Sequence, residues 1–159
     1  MELGLKGRLA LVTGGSKGIG KAIGRALAAE GVDLVSKLPD SPQRFKLEIA
    51  LHSHLAMAHA AMGGWWHPQV DRAYGRALEL CRNHGTVREK SIVLWGMTMA
   101  QLVKSELLQA LDYAQELLVL ANASGDGEAA LMAHTGNLVV NFFLGRLSEA
   151  QSSASFVRQ

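Results

Sequence analysis

The chain carries one cysteine, three prolines and two tyrosines among 159 residues. A lone thiol, Cys81, has no partner for an intramolecular disulfide, so a reducing, cytoplasmic setting is expected. So few prolines leave long stretches without a helix breaker, and the abundance of Ala and Leu leans the composition toward helix. Charge of one sign is scarce: Lys and Arg exceed Asp and Glu by only two and are scattered. A nucleic-acid partner needs a basic stripe, and none is visible. Long hydrophobic runs are also missing. The one uncharged stretch, from Ala129 to Gly145, reaches the lower length limit for a bilayer span. His134, Thr135, Gly136, Asn137 and Asn141 interrupt it, so a buried helix is expected and no membrane partner. Leu9 to Val12 is too short for a signal-peptide core. With 48% hydrophobic residues, the chain has material for a packed core and is not a disordered composition.

What is present differs between the two ends. Leu9-Ala10-Leu11-Val12 reads as a short strand buried on both faces. Gly14 and Gly15 permit a sharp turn. From Gly18, the apolar residues Ile19, Ala22, Ile23, Ala26 and Leu27 recur at helical spacing, with Lys21 and Arg25 elsewhere. A strand, a glycine turn and a helix N-terminus together offer free backbone N–H groups to an anion such as phosphate.

Residues 7–35 closely resemble the start of the short-chain dehydrogenase/reductase family, whose TGxxxGIG motif matches Thr13, Gly14, Gly18, Ile19 and Gly20. The resemblance implies that Gly14, Ser16, Gly18, Ile19 and Gly20 would hold the pyrophosphate of NAD(P). It covers less than a quarter of the chain. The family's Tyr-x-x-x-Lys pair is missing, because Tyr74 is followed four residues on by Leu78 and Tyr113 by Leu117. No convincing buried strand follows Val35, whereas the doubly wound fold needs several. Glu30 to Val35 reads equally as the end of a helix plus a second strand, or as the end of a repeat helix. Asp33 lies too early in that strand to hold a ribose hydroxyl convincingly. Residues 1–37 are therefore read as a truncated dinucleotide-binding-like segment.

Residues 38–159 read as helices with legible stops. Ser41-Pro42 gives a hydroxyl cap followed by proline at the first helical position, opening a helix to about Met62. Gly63 to Pro68 is a loop, and the next helix runs from Pro68 to about His84, closed by Gly85. Thr86 and Glu89 form a capping box for a third helix. Ser105 is the expected cap of a fourth, which stops at Gly125. Asp126 starts a fifth, ending near Gly145, and Ser148 with Gln151 is the expected capping box of a last helix.

These stops recur. Gly85 and Gly125 close helices 40 residues apart, and Val103–Ala110 and Phe143–Ala150 cross between helices at the same offset. A period near 40 with two helices per unit predicts a stack of helical hairpins, about three units long. The portion from Gly31 to Gln159 resembles the tetratricopeptide-like helical repeats of bacterial adenylate/guanylate cyclase-linked or ATPase-linked regulatory proteins. The strings Leu38 to Arg44, Ala73 to Cys81 and Val93 to Gly96 carry that likeness. No cyclase or ATPase residues accompany it, so the resemblance implies a scaffold that binds another protein or a neighbouring domain.

The expected fold is thus mainly α: a tetratricopeptide-like stack preceded by a short strand-turn-helix. The expected function is a non-catalytic scaffold with no cofactor and no metal. The alternative is an NAD(P)-binding, catalytically incomplete reductase-like protein. His52 and His59 share a helix face, but His54 points elsewhere and no carboxylate sits at ligand spacing. Trp65 and Trp66 are either exposed anchors for a partner or plugs between adjacent helices. Cys81, Trp95, Met97 and Met99 read as core.

Overall fold

A computed structural model describes residues 18–158, and among them the chain forms seven helices and no strand. These are α1 (Gly18–Ser36), α2 (Pro42–Gly63), α3 (Pro68–His84), α4 (Val87–Val103), α5 (Leu107–Ser124), α6 (Gly127–Phe143) and α7 (Leu147–Val157). None of them is long and apolar enough to cross a membrane. The strand expected at Leu9–Val12 and the glycine turn at Gly14–Ser16 lie outside the described residues.

Four helix starts follow from local chemistry. The Ser41 hydroxyl accepts from the Arg44 N–H at 3.1 Å, with Pro42 at the first helical position. His67 does the same for α3 through Nδ1, which accepts from the Gln69 N–H at 3.2 Å. Thr86 and Glu89 close a reciprocal capping box at α4. The Asp126 carboxylate accepts from the Ala129 N–H at 2.9 Å to open α6.

Two expected caps are absent. Ser105 does not cap α5: it lies in the left-handed region at φ 65°, and Glu106 takes the cap position without a side-chain bond. Ser148 lies inside α7 and bonds Glu149, while Arg146 stands at the cap position, so Ser148 and Gln151 form no capping box. The cause is the same in both places. The preceding helix ends in a Schellman turn, which takes up Ser105 itself in one place and fixes the cap position at Arg146, two residues ahead of Ser148, in the other. After α4, the Ser105 N–H bonds the Leu102 carbonyl at 3.0 Å and the Glu106 N–H bonds Gln101 at 2.9 Å. After α6, the Gly145 N–H bonds Phe142 at 3.1 Å and the Arg146 N–H bonds Asn141 at 2.9 Å.

Those turns are identical in pattern and 40 residues apart. Helices α4 and α6 have the same length and are offset by 40 at both ends. Gly85 and Gly125 also close helices at this offset, but in different conformations, extended at Gly85 and left-handed at Gly125. Each helix packs on the next in chain order; α2 also touches α4 and α4 touches α6, whereas the backbones of α3 and α5 do not approach each other.

Helix α4 is consequently the middle of the molecule. Its buried residues, from Ser91 to Gln101, face several directions, as a helix enclosed by neighbours requires. It approaches α3 at Gly96, where the Tyr74 ring, only 1% exposed, lies on the glycine backbone. Forty residues on, Gly136 of α6 lies against Ala114 of α5 and Trp95 of α4. Asn137, next to it, donates to the Ala114 carbonyl at 2.8 Å, so α6 is buried with its polar side chain satisfied.

A Cβ at Gly96 would overlap the Tyr74 ring, with ring carbons at 2.6 and 2.7 Å. A Cβ at Gly75, inside α3, would meet nothing within 4 Å. Gly96→Ala is expected to cost about 1–3 kcal/mol by overpacking, and Gly75→Ala to add about 0.5–1 kcal/mol by helix propensity. Urea unfolding of the two variants, compared with the parent, checks both signs.

Candidate functional site

Of the residues expected to contact a pyrophosphate, Gly14 and Ser16 lie outside the described residues. Gly18, Ile19 and Gly20 form the first turn of α1, with Gly18 at φ 61° and Ile19 81% exposed. The reading of Val32–Val35 as a second strand is overturned, because α1 continues through them to Ser36. Asp33 is therefore a helical residue, ion-paired to Lys37 one turn on at 2.5 Å, and does not stand at a strand end. Here α1 packs on α2, with Gly31 against Leu51 and Val32 and Val35 half-buried, while Leu34 faces solvent.

The two tryptophans separate. Trp65 is half-buried, packs against the core and stacks parallel to Tyr74, with ring centroids 6.4 Å apart. Trp66 is 65% exposed and lies over Gly64, whose φ of 86° no side chain would favour. Only Trp66 is placed to meet a partner.

Other polar groups assemble, but mainly as joints between helices. Glu48, buried on α2, accepts from Arg76 Nε and Nη2 at 3.1 and 3.0 Å and from Arg44 Nη2 at 3.2 Å. A carboxylate held by two guanidinium groups ties α2 to α3. Asp71 of α3 pairs with Lys104 and accepts from Gln101 at 3.2 Å, tying α3 to α4. Spacing alone did not reveal either joint, since the partners lie about 30 residues apart. Among the described residues no three His, Cys, Asp or Glu side chains gather as metal ligands. Burial pushes the Tyr74 hydroxyl up to about 12 and the Cys81 thiol up to about 11, so neither ionises near neutrality.

Between α3 and α5, whose backbones stand apart, α4 forms the floor of a hollow of about 320 Å³. Leu78, Leu94 and Leu120 line it, and Arg82, Lys90 and Glu116 ring it. A second hollow of about 280 Å³ shares Arg82 and Glu116 and adds Gln109, Asp112 and Tyr113. Periodicity places Leu78 and Leu94 on buried faces. It does not show that α3 and α5 stand apart.

No protein family, curated protein or solved structure matches this chain.

The histidines supply a pH response. Burial holds the imidazoles of His52, His59 and His134 below the ordinary histidine range. At His59 the nearby His67, stacked at 5.5 Å, and Arg25 add to the effect; at His52 Glu48 opposes it and Arg76 adds to it. Nδ1 of His52 and of His134 is buried with no hydrogen-bond partner in the protein, so an added proton there would find no acceptor. The unfolded chain takes up these protons near pH 6.5, and the folded chain only at lower pH. The stabilisation is full above about pH 6.5 and is lost as pH falls through the folded values. The melting temperature is expected to be lower at about pH 5 than at about pH 7.5, with the difference reduced in His52→Gln. Thermal unfolding followed by circular dichroism at the two pH values measures it.

Proposed function

We propose that this chain is a non-catalytic helical-repeat scaffold, a tetratricopeptide-like stack of about three hairpins that holds a protein partner or a neighbouring domain. The observation that carries the reading is the pair of matching Schellman turns after α4 and α6, 40 residues apart, on helices of equal length. A backbone that repeats its turns at a fixed offset suits stacked units in which each covers its neighbour. On this reading the hairpins are α2–α3, α4–α5 and α6–α7, and α1 packs on the first as a cap. Contacts from α2 to α4 and from α4 to α6, without backbone approach between α3 and α5, suit one row of touching helices and one row held apart. The functional surface of such a scaffold is the grooves between its helices, and Trp66 is an exposed anchor beside one corner.

The second reading is an NAD(P)-binding protein related to the short-chain dehydrogenases/reductases, and the run from Gly14 to Gly20 favours it. Continuation of α1 through Asp33 weighs against it, because a dinucleotide needs a crevice between strands, closed by an acidic residue at a strand end. Phosphate contacts to a few N–H groups, without buried contacts for the two rings, give little affinity.

Binding of NAD(H) and NADP(H) is expected to be no tighter than millimolar, on the order of 4 kcal/mol or weaker. Isothermal titration of the full chain measures it. Micromolar binding that disappears in Gly18→Val would overturn the scaffold reading in favour of the reductase-like one.

A further inference from the structure

We infer that the trough between α3 and α5 is a binding site for an amphipathic helical segment of another protein, one that carries an apolar side chain and a carboxylate. The inference rests on the scaffold reading and names the surface and the chemistry of the partner.

The trough exists because α3 and α5 both pack on α4 while their backbones stay apart, and the Arg82–Glu116 pair, at 3.9 Å, reaches across it. Arg82 and Glu116 line both of its hollows, and their pairing across it divides the trough into an apolar half and a polar half. In the apolar half, Leu94 and Leu78 are buried side chains whose edges form the floor, and Leu120 with Val119 forms the α5 wall. Val119 is 69% exposed, so a large apolar side chain stands free at the lip of an apolar hollow. An inserted aliphatic or aromatic side chain would remove this surface from water and be held on three sides.

Charge selects the occupant further. Lys90 is half-buried on the rim and makes no ion pair among the described residues, in contrast to Arg44, Arg76, Arg82 and Lys104. Arg82 reaches Glu116 only at 3.9 Å, with both side chains substantially exposed. The apolar half therefore has two cations and one carboxylate on its rim, whereas the polar half adds Asp112. A segment with a carboxylate beside its apolar anchor answers the excess at Lys90. A helix laid with its C-terminal end toward Lys90 and its N-terminal end toward Asp112 also sets its dipole against the rim charges. A basic segment meets repulsion at Lys90, and a nucleic acid strand, though drawn to Lys90, has no aliphatic group to seat on the leucine floor and meets Glu116 beside it. The length of a groove walled by two helices suits a helix seated by apolar residues on one face.

The test pans a displayed library of random peptides of about 15 residues on the full chain, a length at which a helix can form on binding. Enriched sequences, made as fluorescent peptides, are measured by anisotropy against the parent chain, Lys90→Glu and Val119→Glu. Both positions are at least partly exposed, and Leu131→Glu, at an exposed site on α6, is the control. Enriched peptides are expected to pair a bulky apolar residue with Asp or Glu about one turn away. Affinity is expected to fall on the order of tenfold in both trough variants and to stay unchanged in the control. Replacing the peptide's carboxylate by lysine is expected to restore binding to Lys90→Glu. Peptides that bind all variants equally, that carry no acidic residue, or that fail to enrich at all would overturn the inference. Failure of the scaffold reading is separate, since it would appear as tight dinucleotide binding in the titration.

Discussion

The approach of α3 to α4 at a single glycine is the contact on which the arrangement of this protein depends. Tyr74 can lie flat on α4 only because Gly96 has no side chain, and Trp65 then stacks on the outer face of the tyrosine. That ring fills the inner part of the α2–α3–α4 junction, and Leu78 and Cys81, one and two turns further along α3, are buried with it. With α3 pressed close to α4 at one glycine and α5 reaching α4 from the other side, the trough between α3 and α5 is bounded by how near each can come to the central helix. Close packing thus sets both the core and the groove beside it.

The second junction also brings a glycine of one helix against its neighbours, but with room that Gly96 lacks: a Cβ at Gly136 would meet its neighbours at ordinary contact distance. Gly136 lies against Ala114 and Trp95 where Gly96 lies against Tyr74, forty residues earlier. The joint between helix end and following helix is polar at Asp71, Gln101 and Lys104. At the corresponding positions, Leu111 is buried in a small apolar cluster with Leu144 packed against it. An ion pair in one unit and a leucine contact in the next serve the same geometry, which is why the repeat is faint in residue identity and plain in backbone hydrogen bonding. What must be conserved between units for the shape to recur is the turn and the close approach, and many side chains satisfy both.

Legibility follows from the range of the interaction concerned. Ser41, Thr86 with Glu89, and Asp126 are caps formed within four residues, and each was readable because the whole device lies in one stretch of chain. Ser105 and Ser148 have the residue type of a cap but follow a Schellman turn, whose demand on the backbone takes precedence over the hydroxyl. Glu30 to Val35 satisfied both a strand and a helix pattern, since a short apolar run does not declare its period. The helix there is continuous, and its exposed Asp33 pairs one turn on with Lys37. Of the two tryptophans, identical in type and adjacent, only the fold separates the one stacked on Tyr74 from the one left exposed.

By itself, then, the sequence determined that the chain is mainly helical, where most of those helices stop, and that a spacing of forty residues links them. These properties come from propensity, periodicity and caps, all of which act over a few residues. Tertiary structure alone decided that Glu48 is held by two arginines, that Lys90 is left without a partner on a rim, and that α3 and α5 stand apart over α4. Those outcomes depend on which helix faces which and at what distance. Such distances are set by side-chain volumes that meet only after the chain has packed, as at Tyr74 and Gly96.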